Sequence, residues 1–138
     1  MHRMIWEEKL STRHAGMASD HRKMVELINR LGESMAEGRG KFARCAIFDE
    51  IIRHTRLHFD MEDRLMAAHR FPGAEGHRAE HASLLKKLLK HKQGVEEGGE
   101  DFSATLLHFL DFWWSHHILT MDVEMAEFIT ALPSGVQD

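Results

Sequence analysis

Glycine and proline break this chain at only a few points, and between the breaks apolar residues return at every third or fourth position. The breaks fall before residue 19, at Glu37-Gly38-Arg39-Gly40, at Phe71-Pro72-Gly73 and at Gly98-Gly99, with a final one at Pro133. The spacing is that of α-helices with one buried face. Four helices are expected, over about 19–37, 41–69, 74–95 and 102–131. The first repeats His21, Met24, Ile28, Leu31 and Met35, with Ser19 or Asp20 as its N-cap. The second carries Ile47, Ile51, His54, His58, Glu62 and Leu65 beside a line through Phe48, Ile52, Thr55 and Phe59. The third carries His77, His81, Leu84, Leu88 and His91, backed by Leu85 and Leu89. The fourth, capped by Asp101 or Ser103, turns Leu106, Leu110, Trp113, His117, Met121, Phe128 and Leu132 inward. Short loops give the chain no reach to return to its starting end, so successive helices must alternate in direction. The expected fold is all-α, an up-down-up-down four-helix bundle. Residues 1–18 lack a clean period and read as an N-terminal arm, packed through Ile5 and Trp6.

A chain of 138 residues forms one domain. Its 18 Lys and Arg against 22 Asp and Glu give a net charge of −4, which offers nothing to nucleic acid or anionic lipid. One cysteine, Cys45, excludes an internal disulfide and four-thiolate metal ligation. It is expected to be an inert core thiol. The N-terminus lacks the apolar run of a signal peptide, and no apolar stretch reaches the roughly 18 residues needed to span a bilayer. A cytoplasmic monomer without membrane or nucleic-acid partners is the expectation.

The unusual number is 12 histidines, spread from His2 to His117 with no run longer than His116-His117, so no affinity tag accounts for them. Histidine is the commonest side-chain metal ligand. Several lie on apolar stripes, where an unpartnered polar group costs several kcal/mol in an apolar medium. His58 and Glu62 are four residues apart and share a helix face, as do His77 and His81. His117 and Asp122 are five apart, about 140° of rotation in a regular helix. Either Asp122 reaches in from the flank or the helix is locally unwound there. In an alternating bundle the start of the first helix lies level with the end of the second, the start of the third and the end of the fourth. His21, His58, Glu62, His77, His81, His117 and Asp122 therefore meet near one end.

Five imidazoles and two carboxylates are too many for one tetrahedral zinc. They suit a pair of six-coordinate ions: with two bridging carboxylates and one bridging oxygen, a single position is left over. Mixed N and O ligands favour iron or manganese over calcium or magnesium, and the lack of thiolate disfavours Cu(I).

Four phrases carry a resemblance: Asp20-His21, His54-Thr-Arg-Leu-His58-Phe59-Asp-Met-Glu62, His77-Arg-Ala-Glu-His81, and Trp113-Trp114-Ser-His-His117-Ile118-Leu-Thr-Met-Asp122. Over about residues 6–130 the chain resembles the hemerythrins, more closely the single-domain bacteriohemerythrins. Myohemerythrin, a relative, is a standard up-down-up-down bundle. The resemblance implies that His77, His81 and His117 hold one iron, that His21 and His58 hold the other, and that Glu62, Asp122 and an oxo or hydroxo group bridge them. It further implies reversible O₂ binding as a hydroperoxide on the two-histidine iron, for oxygen carriage, storage or delivery, with NO or small anions as other ligands. The diferrous centre with two carboxylates and one hydroxide needs no further counter-ion. The matching pocket residues are Met24, Phe59, Trp113, Trp114 and Ile118, none an acid or base at neutral pH. That favours a binder over an enzyme. Trp114 stands where relatives commonly carry leucine, and its larger ring is expected to narrow the pocket, slowing autoxidation or restricting ligand size. Ala18 stands where the bacterial subgroup usually has an acidic residue.

His54 is a candidate to back the ligands from behind or to line the pocket, with plain packing the other reading, and His14 is a candidate to back the ligands or to make an arm contact. His2, His69, His91, His108 and His116 are expected at the surface or in caps, and the nine methionines as adaptable core filling. Two further functions use the same centre: sensing of O₂, redox state or nitric oxide, and a di-iron peroxidase-type enzyme. The paired Glu-x-x-His motifs of ferritin-like oxidases and the His-Glu-x-x-His zinc motif are absent.

Overall fold

The computed structural model describes residues 15–131. Its helices are α1 (Ala15–Ala36), α2 (Lys41–Ala68), α3 (Ala74–Glu96), α4 (Ala104–His117) and α5 (Val123–Thr130), with one π-helical turn, Ile118–Asp122, between the last two. Backbone angles stay helical through both junctions of that turn, so α4, the π turn and α5 form one continuous fourth rod. There is no strand among the described residues. The rods form a four-helix bundle in which α1 packs against α2 and α4, and α2 against α3. No helix of the described part is long and apolar enough to cross a membrane.

Helix α1 begins at Ala15, four residues before the start that the sequence suggests, and Ser19 and Asp20 lie inside it. Ala15, Met17 and Ala18 are good helix formers, and they outweigh the cost of roughly 1 kcal/mol for Gly16. The remainder of the expected arm lies outside the described residues, with His2, Ile5, Trp6 and His14, as do Leu132 and the side chain of Ala18. The fourth rod begins at Ala104, and of the two candidate caps it is Ser103 whose side chain accepts from the Leu106 amide.

Helix α2 ends in a Schellman turn: the Phe71 amide donates to the Met66 carbonyl at 3.0 Å and the Arg70 amide to Ala67 at 3.4 Å. Arg70 holds φ at 53°, a left-handed conformation normally left to glycine. His69, expected at the surface or in a cap, is the C-cap of α2 but is buried, its ring donating from Nδ1 to the Leu65 carbonyl.

The interior has three layers. A large apolar cluster, built on Met24, Leu27, Ile28, Leu31, Phe48, Ile51, Phe59, Leu84, Leu88, Leu110, Trp114 and Ile118, fills most of the bundle. A smaller one, Leu65, Met66, Phe71, Met125, Ala126 and Ile129, lies toward the end where α2 passes into α3. Between them every helix contributes polar residues: His21 precedes Met24, Glu62 falls between Phe59 and Leu65, His77 and His81 precede Leu84, and Asp122 separates Ile118 from Met125. Thr55 is buried within the large cluster because its hydroxyl donates to the Ile51 carbonyl one turn back. Cys45 is half-buried at the edge of that cluster rather than inside it. Leu89 is 40% exposed, outside the expected face of α3.

Candidate metal centre

The polar layer consists of His21, His58, Glu62, His77, His81, His117 and Asp122, none of them more than 3% exposed. Alternation of the helices brings them to one depth. Phase on the fourth rod is corrected by the π turn: the Val123 amide donates to the Ile118 carbonyl, five residues back. One turn thus holds an extra residue, and Asp122 comes round to the face of His117 despite the five-residue spacing. The same shift explains why Met125 and Ile129 are buried while Met121 and Phe128 of the expected face are only half-buried; before the turn, Leu107 and Trp114 are buried and Leu106 and Trp113 half-buried.

Ligand atoms fall into two groups, each lying within 4.8 Å of one another: Glu62, His77, His81, His117 and Asp122 in one, His21, His58, Glu62 and Asp122 in the other. Glu62 and Asp122 belong to both. Asp122 divides its oxygens, with Oδ2 at 2.8 Å from His21 Nε2 and 3.7 Å from His58 Nε2. Its Oδ1 lies 3.0 Å from His77 Nε2 and 2.9 Å from His117 Nε2. Glu62 Oε1 sits 3.0 Å from His81 Nε2, 3.4 Å from His58 Nε2 and 3.5 Å from His77 Nε2. All five rings present Nε2 to the carboxylates.

Acidic residues hold some rings from behind. His58 Nδ1 donates to Asp20 Oδ2 at 3.0 Å, and His117 Nδ1 donates to Glu80 Oε1 at 3.0 Å. Asp63 Oδ1 stands 3.4 Å from His81 Nδ1. A proton fixed on Nδ1 leaves the Nε2 lone pair for the cluster. His54, half-buried, donates from Nε2 to the Asp20 carbonyl at 3.1 Å. Sequence reasoning missed these acids as supports, reading Asp20 as a cap. The available signal was adjacency: Asp20 precedes His21, Asp63 follows Glu62 and Glu80 precedes His81.

Burial works to neutralise every group here, and the opposite charges resist it. For His58 burial is outweighed by Glu62, Asp122 and Asp20, so its pKa stands well above that of an ordinary imidazole. For His117 burial is likewise outweighed by Asp122 and Glu62, and the pKa rises to about 10. His77 is raised against its burial by the same two carboxylates. His81 is lowered, because burial, with His117 and His77 beside it, prevails over Glu62. Glu62 and Asp122 are held far below the usual carboxylate range: burial, and for Glu62 repulsion from Asp122, is overcome by the surrounding histidines. Asp20 is lowered, its burial outweighed mainly by His58.

Protons alone leave the cluster short of partners. His58 Nε2, both Glu62 oxygens, both His77 nitrogens and Asp122 Oδ1 are buried without a properly directed hydrogen bond, and His81 Nε2 faces His117 Nε2 at 3.2 Å. Buried donor atoms without hydrogen-bond partners, gathered in two overlapping groups, fit bound metal, and nitrogen and oxygen donors without thiolate are compatible with iron.

Aromatic rings wall the cluster. Phe59 stacks on His81 with centroids 3.7 Å apart, and Trp113, half-buried, stacks on His117 at 4.6 Å. Trp114 is wholly buried, 5.8 Å from His58 and 5.7 Å from Phe59, and its indole N–H has no hydrogen-bond partner among the described residues. Ile118 and Met24 are buried in the adjoining large cluster. Of the other histidines, His91 is half-buried and pairs with Glu100 at 3.0 Å, His108 is exposed, and His116 is exposed and stacks on Phe112.

A four-helix bundle enclosing one layer of shared carboxylates and imidazoles defines a helical protein able to hold metal. The hemerythrin HHE cation binding domain matches residues 13–129, and the chain belongs to that family. A bacteriohemerythrin of Stenotrophomonas maltophilia is 25% identical over 93% of this chain and 82% of its own length. One from Ralstonia nicotianae is 26% identical over 90% and 87% respectively. Among solved structures, a wild-type hemerythrin superposes with a TM-score of 0.85 at 20% identity, covering 90% of this chain and 95% of its own. A leucine-to-alanine mutant of hemerythrin gives 0.87 at 20% identity, over 93% and 98%.

Proposed function

We propose that this protein binds O₂ reversibly at a di-iron centre, for carriage, storage or delivery, and is not primarily an enzyme. The observation that carries the reading is the unequal division of the cluster: three histidines in one ligand group, two in the other, with Glu62 and Asp122 common to both. His77, His81 and His117 would hold one ion and His21 and His58 the other, with Glu62, Asp122 and an oxo or hydroxo group shared between them. When bound, the iron pair supplies the two electrons that reversible O₂ binding requires. The two-histidine group offers one ligand fewer, so an ion held there would have room for the small ligand.

The chain's own groups provide the rest. Asp122 turns one oxygen toward His21 and the other toward His117, so it would serve both ions. Asp20 and Glu80 keep the Nδ1 protons of His58 and His117 in place, so the ligating nitrogens stay available. Met24, Phe59, Trp114 and Ile118 keep bulk water out, and none can deliver a proton at neutral pH. A ligand held there leaves as it came. The hemerythrin family and relatives named bacteriohemerythrin support the reading.

The test is the visible spectrum of anaerobically reduced, iron-loaded protein before and after O₂, and again after argon. A band that appears with O₂ and vanishes under argon, at two irons per chain, is expected. Immediate, irreversible oxidation without that band would overturn reversible binding.

A further inference from the structure

We infer that Asp20 is the positioning residue of the two-histidine pole and sets metal occupancy there independently of the three-histidine pole. The inference rests on the dinuclear reading above and goes beyond its ligand set.

Asp20 acts at three points. Its carboxylate accepts the His58 Nδ1 proton at 3.0 Å, its carbonyl accepts from His54 Nε2 at 3.1 Å, and the next residue in the chain is His21. His21 and His58 are the two histidines of this pole, and they come from different helices, α1 and α2. One residue therefore fixes the spacing between them, and His54 braces its backbone one turn before His58. His58 needs this help, because its Nε2 stands 3.4 Å from Glu62 and 3.7 Å from Asp122, looser than the 2.8 Å between His21 and Asp122. The other pole has its own supports, Glu80 behind His117 and Asp63 beside His81. Such backing carboxylates orient a ligand ring and increase its basicity, and losing one typically weakens metal binding about 10- to 100-fold.

Metal-free protein titrated with Co²⁺ against a chromophoric chelator, with stoichiometry read by native mass spectrometry, tests this. Wild type is expected to take up two ions per chain. Asp20→Ala should weaken one of them about 10- to 100-fold and leave the other essentially unchanged. Asp20→Asn keeps an acceptor oxygen without the charge and should lose less. A His21→Ala background, with the two-histidine pole already broken, assigns the effect. There Asp20→Ala should change nothing further, whereas Glu80→Ala should weaken the remaining ion. The inference fails if Asp20→Ala, folded by circular dichroism, binds both ions as wild type does, weakens both alike, or weakens the remaining ion in the His21→Ala background. Fewer than two ions in wild type would instead overturn the dinuclear reading, and this inference with it.

Discussion

In the proposed reading, Trp114 would shape the ligand pocket without ligating anything. Its ring is wholly buried in the large apolar cluster, 5.8 Å from that of His58, where a smaller residue would leave space beside the two-histidine pole. Trp114→Leu should therefore cost about 2–3 kcal/mol of stability, near the lower end of large-to-small core changes. It should also hasten decay of the oxygenated band to the oxidised form. The check is the decay rate in air for both proteins, and identical rates would sink the idea that this ring restricts access. At this scale the seven inward polar residues were legible, because His58 with Glu62 and His77 with His81 stand at helical spacing on apolar stripes. Asp20, Asp63 and Glu80 were not. An acidic residue beside a ligand lies about 100° around its helix and shows no partner until the neighbouring helix is in place. His69 takes the cap position open to it, and what the sequence does not show is that this C-cap is buried.

Among the helices, the fourth rod departs most from what periodicity alone gives. The five-residue interval from His117 to Asp122 announced a problem of phase, and the π turn resolves it by absorbing one residue. The inward face beyond it is consequently displaced, so Met125 and Ile129 are buried where a regular helix would have presented Met121 and Phe128. Deleting Thr120, an exposed residue of the turn, should convert it to α-helix while leaving His117 and Asp122 four residues apart on one face. Two metals per chain and a cooperative unfolding transition are expected to survive. Deleting the exposed Glu124 should rotate Asp122 and everything before it by about 100° relative to Met125, Ala126 and Ile129, and abolish cooperativity. Thermal unfolding of the two deletions decides the point: equal damage would show that the turn does not function as a one-residue insertion. Arg70 offers a second test. Arg70→Gly relieves the left-handed backbone at the end of α2 and should add about 0.5–1 kcal/mol of stability, measured by urea denaturation.

Across the whole molecule, the polar layer ties stability to protons and to metal in opposite directions. In the metal-free chain His58, His77 and His117 have raised pKa values, so their contribution is complete below the unfolded imidazole value of 6.5. It is lost as pH rises through the folded values, up to about 10 for His117. Glu62 and Asp122 have lowered values, so theirs is present above 4.5 and 3.8 and is lost as pH falls through the folded ones. His81 runs against the other histidines, gaining as pH rises through 6.5, but it is one ring against three. Metal-free protein should therefore be most stable between about pH 4.5 and 6.5, and its thermal midpoint should fall steadily from there toward pH 9. Metal must displace the same protons, so its apparent affinity should rise over that range, and saturating metal stabilises by the logarithm of its excess over Kd. Loaded protein should accordingly show a midpoint that holds or rises where the metal-free one falls, and stripping the metal should cost most at the alkaline end. Thermal midpoints of both forms at intervals from pH 5 to 9 test this, with proton release on metal binding read by calorimetry in two buffers of different ionisation enthalpy. A metal-free midpoint that climbs with pH above 6.5 would mean that the buried rings are neutral and that their pairing with Glu62 and Asp122 does not hold the bundle together.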